Sequence, residues 1–308
     1  MIPTDILVAI VAATIRQSSI LLCGACGEVI SERSGVINLE LEGMMMAGSF
    51  TGFYVAYTTG NLWLAIVLAI LVGGVMGSGM GMLTERRKIN QIVAGFTLLF
   101  LGTGIANYLY DTFFSSNTYA TAARFSNINI SGLSDIPILG PALFQQPLPI
   151  YFPFIITAIV WFVFKRTNAG LRLRSCGEDP AVAASLGINV TRTRSLAIIA
   201  AGLLAGFAGA LFTPVFYTRW ETNMTGGRGW IAIALVYFGK WTPALILLGS
   251  LLFGFIDASQ LYLKFSASWL PQELFSMLPY IAAIAVLIPI SKRGAAPKAL
   301  GTVYKEAS

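Results

Sequence analysis

Between Leu62 and Leu83 the chain runs 22 residues without a charge, and Glu85, Arg86, Arg87 and Lys88 then end the run abruptly. About 20 apolar residues in a helix cross the roughly 30 Å hydrocarbon core of a bilayer. The pattern recurs along the chain. Apolar runs occupy Ile6–Gly27, Leu41–Thr59, Gln91–Tyr110, Tyr151–Phe164 (a span if its helix begins near Leu148), Leu196–Phe216, Ala244–Leu263 and Leu274–Ile290. The expected fold is therefore all-α, a polytopic membrane helix bundle of about 8 spans, read as a single transmembrane domain over residues 1–308. Only 11% of residues are charged against 56% hydrophobic, about half the charge of an ordinary soluble domain. The N-terminus lacks the basic flank and small-residue cleavage pattern of a cleavable signal peptide.

A net charge of +6 would suggest nucleic acid if it covered one surface. It falls instead in short clusters between apolar runs, which is a topology signal, and no nucleic-acid partner is expected. Placing the Arg86 loop, the 165–194 loop and the C-terminal tail in the cytoplasm also puts Arg33 there, and Lys240 with it if the segment before it is re-entrant. Of the 20 basic residues, only Arg124, Arg219, Arg228 and Lys264 then lie outside, with Arg16 inside a span. The N-terminus starts outside.

Several spans carry interruptions. Arg16 is expensive at mid-bilayer, so it either faces a polar cavity or the first helix is offset; the offset is the reading adopted. Cys23 and Cys26 form a CxxC pair, but with Cys176 the only other cysteine and no histidine, close helix packing explains them better than zinc or redox chemistry. The glycines at 73, 74, 77, 79 and 81 are not a P-loop, since no lysine follows them, and are assigned to helix packing. Glu28 to Gly48 packs Glu28, Glu32, Arg33, Glu40 and Glu42 between two spans, with Gly35 and Asn38 marking a turn. A pore-facing segment is expected there, a surface loop being the alternative. Thr218 to Pro243 holds only about ten consecutive apolar residues, too few to span, and reads as a re-entrant half-helix over 229–239.

The longest charged stretch is Lys165 to Arg194. Asp179 is placed to cap a short helix, Pro180 suits its first position, and Gly187 suits the left-handed turn that stops it. A capped helix flanked by arginines fits contact with another protein; a solvated loop is the alternative.

Catalysis has little to stand on: there is no histidine, no metal-ligand cluster and no nucleotide motif. A secondary transporter is a stronger rival, because discontinuous helices point to a midplane site, although Asp257 is the main isolated acid available for ion coupling.

The segments GEVISERSGVINLELEGMMMAGSF, RSCGEDPAVAASLGINVTRTRSLA and GGRGWIAIALVYFGKWTPALILLGSLLFGFIDA resemble, in this order, the membrane permeases of ABC importers. The resemblance is to the nucleoside and simple-sugar branch, related to branched-chain amino acid permeases, and in length to the shorter permease of a nucleoside system. It implies a multi-pass cell-membrane subunit that is not itself an enzyme and needs no cofactor, ATP being used by a partner ATPase. A second permease, giving a heterodimer, and an extracytoplasmic substrate-binding lipoprotein are the other implied partners. Gly177, Glu178, Asp179 and Pro180 match the family's ATPase-docking sequence, and Ala184 and Gly187 complete the coupling element. Glu28, Asn38, Glu42, Gln91, Phe96, Asn107, Trp230 and Asp257 are the candidates for the translocation pathway; with Phe100 and Tyr237 they offer amides and aromatics for a neutral polar solute. The chain departs from the family at Glu40, where a small residue is usual. A nucleoside is the expected substrate, a simple sugar next and a branched-chain amino acid third, because no pair of opposite charges is evidently placed to hold a zwitterion.

Overall fold

The computed structural model describes residues 4–115, 119–129, 131–134, 136–137, 139–266, 271, 274–275, 277–279, 281–282, 284–285 and 296–304. Among them are eleven α-helices: α1 (Thr4–Arg33), α2 (Leu41–Thr59), α3 (Leu62–Gly81), α4 (Gln91–Phe114), α5 (Leu139–Phe144), α6 (Phe152–Arg166), α7 (Asn168–Glu178), α8 (Pro180–Ser185), α9 (Val190–Ala210), α10 (Arg228–Phe238) and α11 (Pro243–Ser266). π-helical turns extend α3 over Met82–Arg86 and α9 over Leu211–Phe216.

Among the described residues, six helical segments are long and apolar enough to cross a membrane: Ile6–Arg33, Leu62–Arg86, Gln91–Phe114, Leu148–Arg166, Val190–Phe216 and Pro243–Lys264. The span expected over Leu274–Ile290 lies partly outside the described residues, and the tail residues Lys292, Arg293 and Lys305 lie outside them. α2 is helical over the whole expected range but is too polar to be among the six. Its residues from Leu41 to Ala56 are mostly buried against other helices, so it needs little lipid-compatible surface.

The centre of the bundle is α9, whose apolar stretch is 72% buried. α3 crosses it where glycine meets glycine. A Cβ on Gly73 would lie 2.1 Å from the Gly202 carbonyl oxygen, and one on Gly206 would lie 2.2 Å from that of Ala69. Side chains there would force the helices apart, so the glycine run is a packing seam, as the sequence suggested. Cys23 and Cys26 are buried free thiols in this core, set against the Leu204 carbonyl oxygen and the Thr157 hydroxyl.

The stretch from Glu28 to Gly48 is less irregular than its charges suggested. α1 continues through Glu28 and Glu32 to Arg33, and only Ser34–Glu40 is non-helical. Gly35, at φ +99°, makes the turn that ends α1. Arg16 donates to Gln146 at 2.7 Å, level with the connector between α4 and α6, as an offset α1 requires.

The re-entrant reading of 218–243 is corrected. At one end, Thr218 accepts from the N–H of Ala122 in the α4–α6 connector at 2.7 Å. The chain then descends along α2: the Trp220 indole N–H donates to Ser49 at 3.0 Å, and Thr225 donates to Glu42 at 2.6 Å. α10 follows, and the Trp241 carbonyl accepts from Arg33 at the opposite end of the bundle, at 3.2 Å. The segment is therefore a discontinuous crossing, irregular with successive turns in its first half and helical in its second. An irregular backbone is tolerable at this depth because it is buried in protein, where Ser49 and Glu42 supply partners. This crossing puts Lys240 beside Arg33 without a re-entrant loop.

Candidate functional site

The half-helix α10 is held at both ends by carboxylates from the α1–α2 elbow. At its N-terminus, Glu42 accepts from the Thr225 hydroxyl at 2.6 Å, the Gly227 N–H at 2.8 Å and the Gly229 N–H at 2.6 Å. The two N–H groups are backbone donors that a helix start leaves free, and an anion is favoured there. At the other end, the indole N–H of Trp241 donates to Glu32. Lys240 and Trp241 adopt positive φ, 48° and 54°, to make this exit turn. Glu28 accepts from the Asn38 N–H at 3.3 Å. With its amide nitrogen facing Glu40, Asn38 donates to both Glu40 oxygens at 3.0 Å. Glu40 is fully buried in the linker, and desolvation pushes its carboxyl up to about 8. Glu28 and Glu32 lie side by side, and one oxygen of each accepts no N–H or O–H among the described residues.

The sequence candidates for the pathway fall in three places. Glu28, Asn38 and Glu42 belong to this elbow. Gln91 is buried beside the α1–α2 linker and the C-terminal tail, where it accepts from the Ile37 N–H at 3.0 Å and donates to the Thr302 carbonyl at 3.4 Å. Phe96 and Trp230 lie on an exposed face: their ring centroids are 6.1 Å apart, and Phe96 and Phe100 are 6.3 Å apart. Tyr237 lies further along α10, with its ring 5.0 Å from that of Trp241. Asn107 has its side-chain oxygen buried without a partner among the described residues.

Asp257 corrects one expectation, because it has an opposite charge beside it. Arg228 donates to Asp257 at 2.9 Å, next to a cavity of about 210 Å³ lined also by Leu21, Phe253 and Gln260. The guanidinium also sits over the Phe212 ring, 5.6 Å from its centroid. Among the described residues no group of three His, Cys, Asp or Glu side chains is placed to hold a metal ion.

The 165–194 loop has the local structure its sequence suggested. Asp179 caps α8 by accepting from the Ala181 and Val182 N–H groups at 3.0 Å each. Pro180 is the first helical residue, and Gly187 turns the chain at φ +81°. Val182 and Leu186 are exposed, while Ala183 is buried beneath them. Gly177 packs where a Cβ would lie 2.3 Å from the Arg33 carbonyl oxygen, and its own carbonyl accepts from the Ala299 N–H at 2.8 Å.

Arg194 is the residue the sequence reading passed over. It is fully buried and donates to three carbonyls from three segments: Ser34 at 3.0 Å, Thr302 at 2.9 Å and Cys176 at 3.2 Å. It thereby clasps the α1–α2 linker, the C-terminal tail and α7 together. Cys176 shares this site, and burial pushes its thiol up. A signal was available, since Arg194 is in helical phase with the apolar Val190, Ala197, Ile198 and Ala201, whereas Arg192 is not.

The comparisons agree with this arrangement. Residues 10–287 match the family described as branched-chain amino acid transport system / permease component. The putative glucose ABC transporter permease protein TsgC13 of Haloferax volcanii is 38% identical over 256 residues, covering 81% of this chain and 76% of that protein. The nucleoside ABC transporter permease protein NupC of Lactococcus lactis is 31% identical, covering 96% of each chain. The guanosine ABC transporter permease protein NupQ of Bacillus subtilis is also 31% identical, covering 97% of each. No solved structure matches. The chain is a multi-pass membrane protein and belongs to the branched-chain amino acid transport system permease family.

Proposed function

We propose that this chain is one of two permease subunits of an ATP-driven nucleoside importer. The observation that carries the transport role is the clasped cytoplasmic elbow: a capped, exposed α8 whose base is tied through Arg194 and Gly177 to α1, the α1–α2 linker and the tail. Such a lever transmits the push of a docked partner into the membrane helices. The partner is an ATPase bound at the 165–194 loop, with Gly177, Glu178, Asp179, Pro180, Ala184 and Gly187 forming the contact element. A second permease and an extracytoplasmic substrate-binding lipoprotein complete the importer, and residues 1–308 form one permease domain.

Nucleosides are supported by the two relatives aligned over nearly the whole chain, one named for nucleosides and one for guanosine. The exposed row Phe96, Phe100 and Trp230 offers a wall on which a base can slide, a passing contact rather than a tight site. Arg228 and Asp257 neutralise each other, which leaves a neutral solute favoured over a zwitterion. The second reading is a simple sugar, favoured by the 38% identity to the putative glucose permease. Uptake of labelled guanosine or uridine by the reconstituted importer, challenged with glucose, ribose and leucine, separates the two. Competition by other nucleosides is expected, and inhibition by glucose alone would reverse the assignment. Loss of uptake to an ionophore with ATP intact would move the chain to ion-coupled transport.

A further inference from the structure

A cleft on the cytoplasmic side lies between α7 and the start of α9, outside the elbow and the aromatic row. Its mouth, about 880 Å³, is lined by Asn168, Arg172, Ser175, Asn189, Arg192 and Leu196, among others, and falls within the size range of ligand clefts. It continues into an apolar slot of about 310 Å³ lined by Ile30, Leu173, Ala197 and Ala200. Arg172, Thr193 and Leu196 line both, so mouth and slot are one continuous feature.

Three properties define its occupant. The mouth is cationic and rich in amides and hydroxyls. No Asp or Glu lines mouth or slot, and neither guanidinium is paired with a carboxylate among the described residues. The slot beneath reaches toward Ile30 and Ala200, within two membrane-spanning segments, where hydrocarbon rather than water is the natural filler. Finally, the neighbouring helix marks the headgroup level. At the end of α6, Lys165 sits over the Trp161 ring, 5.2 Å from its centroid, the aromatic and basic pair that anchors a span at the interface. α7 begins three residues after Lys165, so the mouth lies at the headgroups and the slot below them.

We propose that this cleft binds an anionic phospholipid of the cytoplasmic leaflet. Its phosphate would sit between Arg172 and Arg192 and an acyl chain would fill the Ile30–Ala200 slot. Basic pockets between membrane helices on the cytoplasmic side take anionic headgroups, each surface Lys or Arg adding to the attraction. A lipid there would lie against α7, next to the Cys176 carbonyl that Arg194 holds, and so would brace the same elbow.

The test uses the assembled importer with its ATPase, purified from mixed phosphatidylglycerol and phosphatidylethanolamine and examined by native mass spectrometry. Preferential retention of phosphatidylglycerol is expected. The double variant Arg172→Gln, Arg192→Gln should lower that retention about thirtyfold, as two surface charges are lost. Arg172→Lys with Arg192→Lys should keep most of it. Ala200→Phe, which fills the slot, should release lipid without changing weak binding of inorganic phosphate. Equal retention of the two lipids would overturn the proposal, and so would full displacement by inorganic phosphate. Loss of the ATPase, rather than of lipid, in the glutamine variant would assign the cleft to the ATPase and overturn it equally.

Discussion

Glu42 and Gly229 are fitted to each other: the Glu42 carboxylate accepts from the Gly229 N–H at 2.6 Å, and a Cβ on Gly229 would lie 2.6 Å from that same oxygen. The contact fixes where the irregular half of the crossing becomes helix. Gly229→Ala is therefore expected to push α10 off its carboxylate, costing about 2–4 kcal/mol as charge-assisted bonds stretch. Glu42→Gln loses acceptor capacity and charge without adding bulk, and should cost less. Thermal unfolding of the purified permease, read beside transport, checks the order; a Gly229→Ala protein as stable as the parent would remove the pin.

Arg194 should behave as a clasp rather than a surface charge. Arg194→Met leaves the carbonyls of Ser34, Cys176 and Thr302 without that donor and takes away a positive charge that acts on the buried Glu85 carboxylate. A loss of about 3–5 kcal/mol is expected. Arg194→Lys keeps the charge but presents one ammonium where a planar fork reaches three segments, so it should recover stability only in part. The neighbouring Arg192→Met, exposed and outside the clasp, should leave stability within about 0.5 kcal/mol.

These two sites show how far the sequence could be read. The charge-free runs and their basic ends identify the helices because the bilayer leaves a backbone few options. The α8 cap was legible because Asp179, Pro180 and Gly187 act through local geometry alone. Glu42 and Arg194 differ, since their partners lie 183 to 187 and 18 to 160 residues away, and no local pattern names them. The crossing at 218–243 was misjudged because apolar length says nothing of an irregular half buried in protein. The ion pair was missed because Arg228 and Asp257 are 29 residues apart on different helices.

The coupling helix offers a test by local damage. Asp179→Ala removes a cap worth about 1 kcal/mol. Gly187→Val forces a β-branched residue to φ +81°, costing about 1 kcal/mol or more. Neither position is in the bundle core, so the membrane helices should still fold. Co-purification of the ATPase and uptake should both fall in the double variant; unchanged association would reduce the 165–194 loop to a connector.

Glu40 gives a pH dependence with a definite sign. Burial holds its folded carboxyl up to about 8, against 4.5 ordinarily. Between those values the unfolded chain is ionised while the folded protein keeps its proton, so stability declines as pH rises from about 4.5 to 8 and then levels off. Glu40→Gln should remove that part of the decline and be relatively most stabilising at and above pH 8. Denaturation profiles of parent and variant that run parallel from pH 5 to 9 would contradict it.

The discontinuous crossing makes the sharpest topological claim. Arg219 is exposed near the α4–α6 connector, whereas Lys240 lies beside Arg33 at the other end of the bundle. The native thiols Cys23, Cys26 and Cys176 are all buried, which keeps background labelling low, and they can be replaced for certainty. In intact cells an impermeant maleimide should modify Arg219→Cys and Asn127→Cys but not Lys240→Cys or Ser175→Cys. Opened membranes should expose the latter two. Labelling of position 240 from outside, alongside position 219, would overturn the crossing. Labelling of 240 only from the cytoplasm leaves a single path for the chain: down through Trp220 and Thr225, into α10 at Glu42, and out past Glu32.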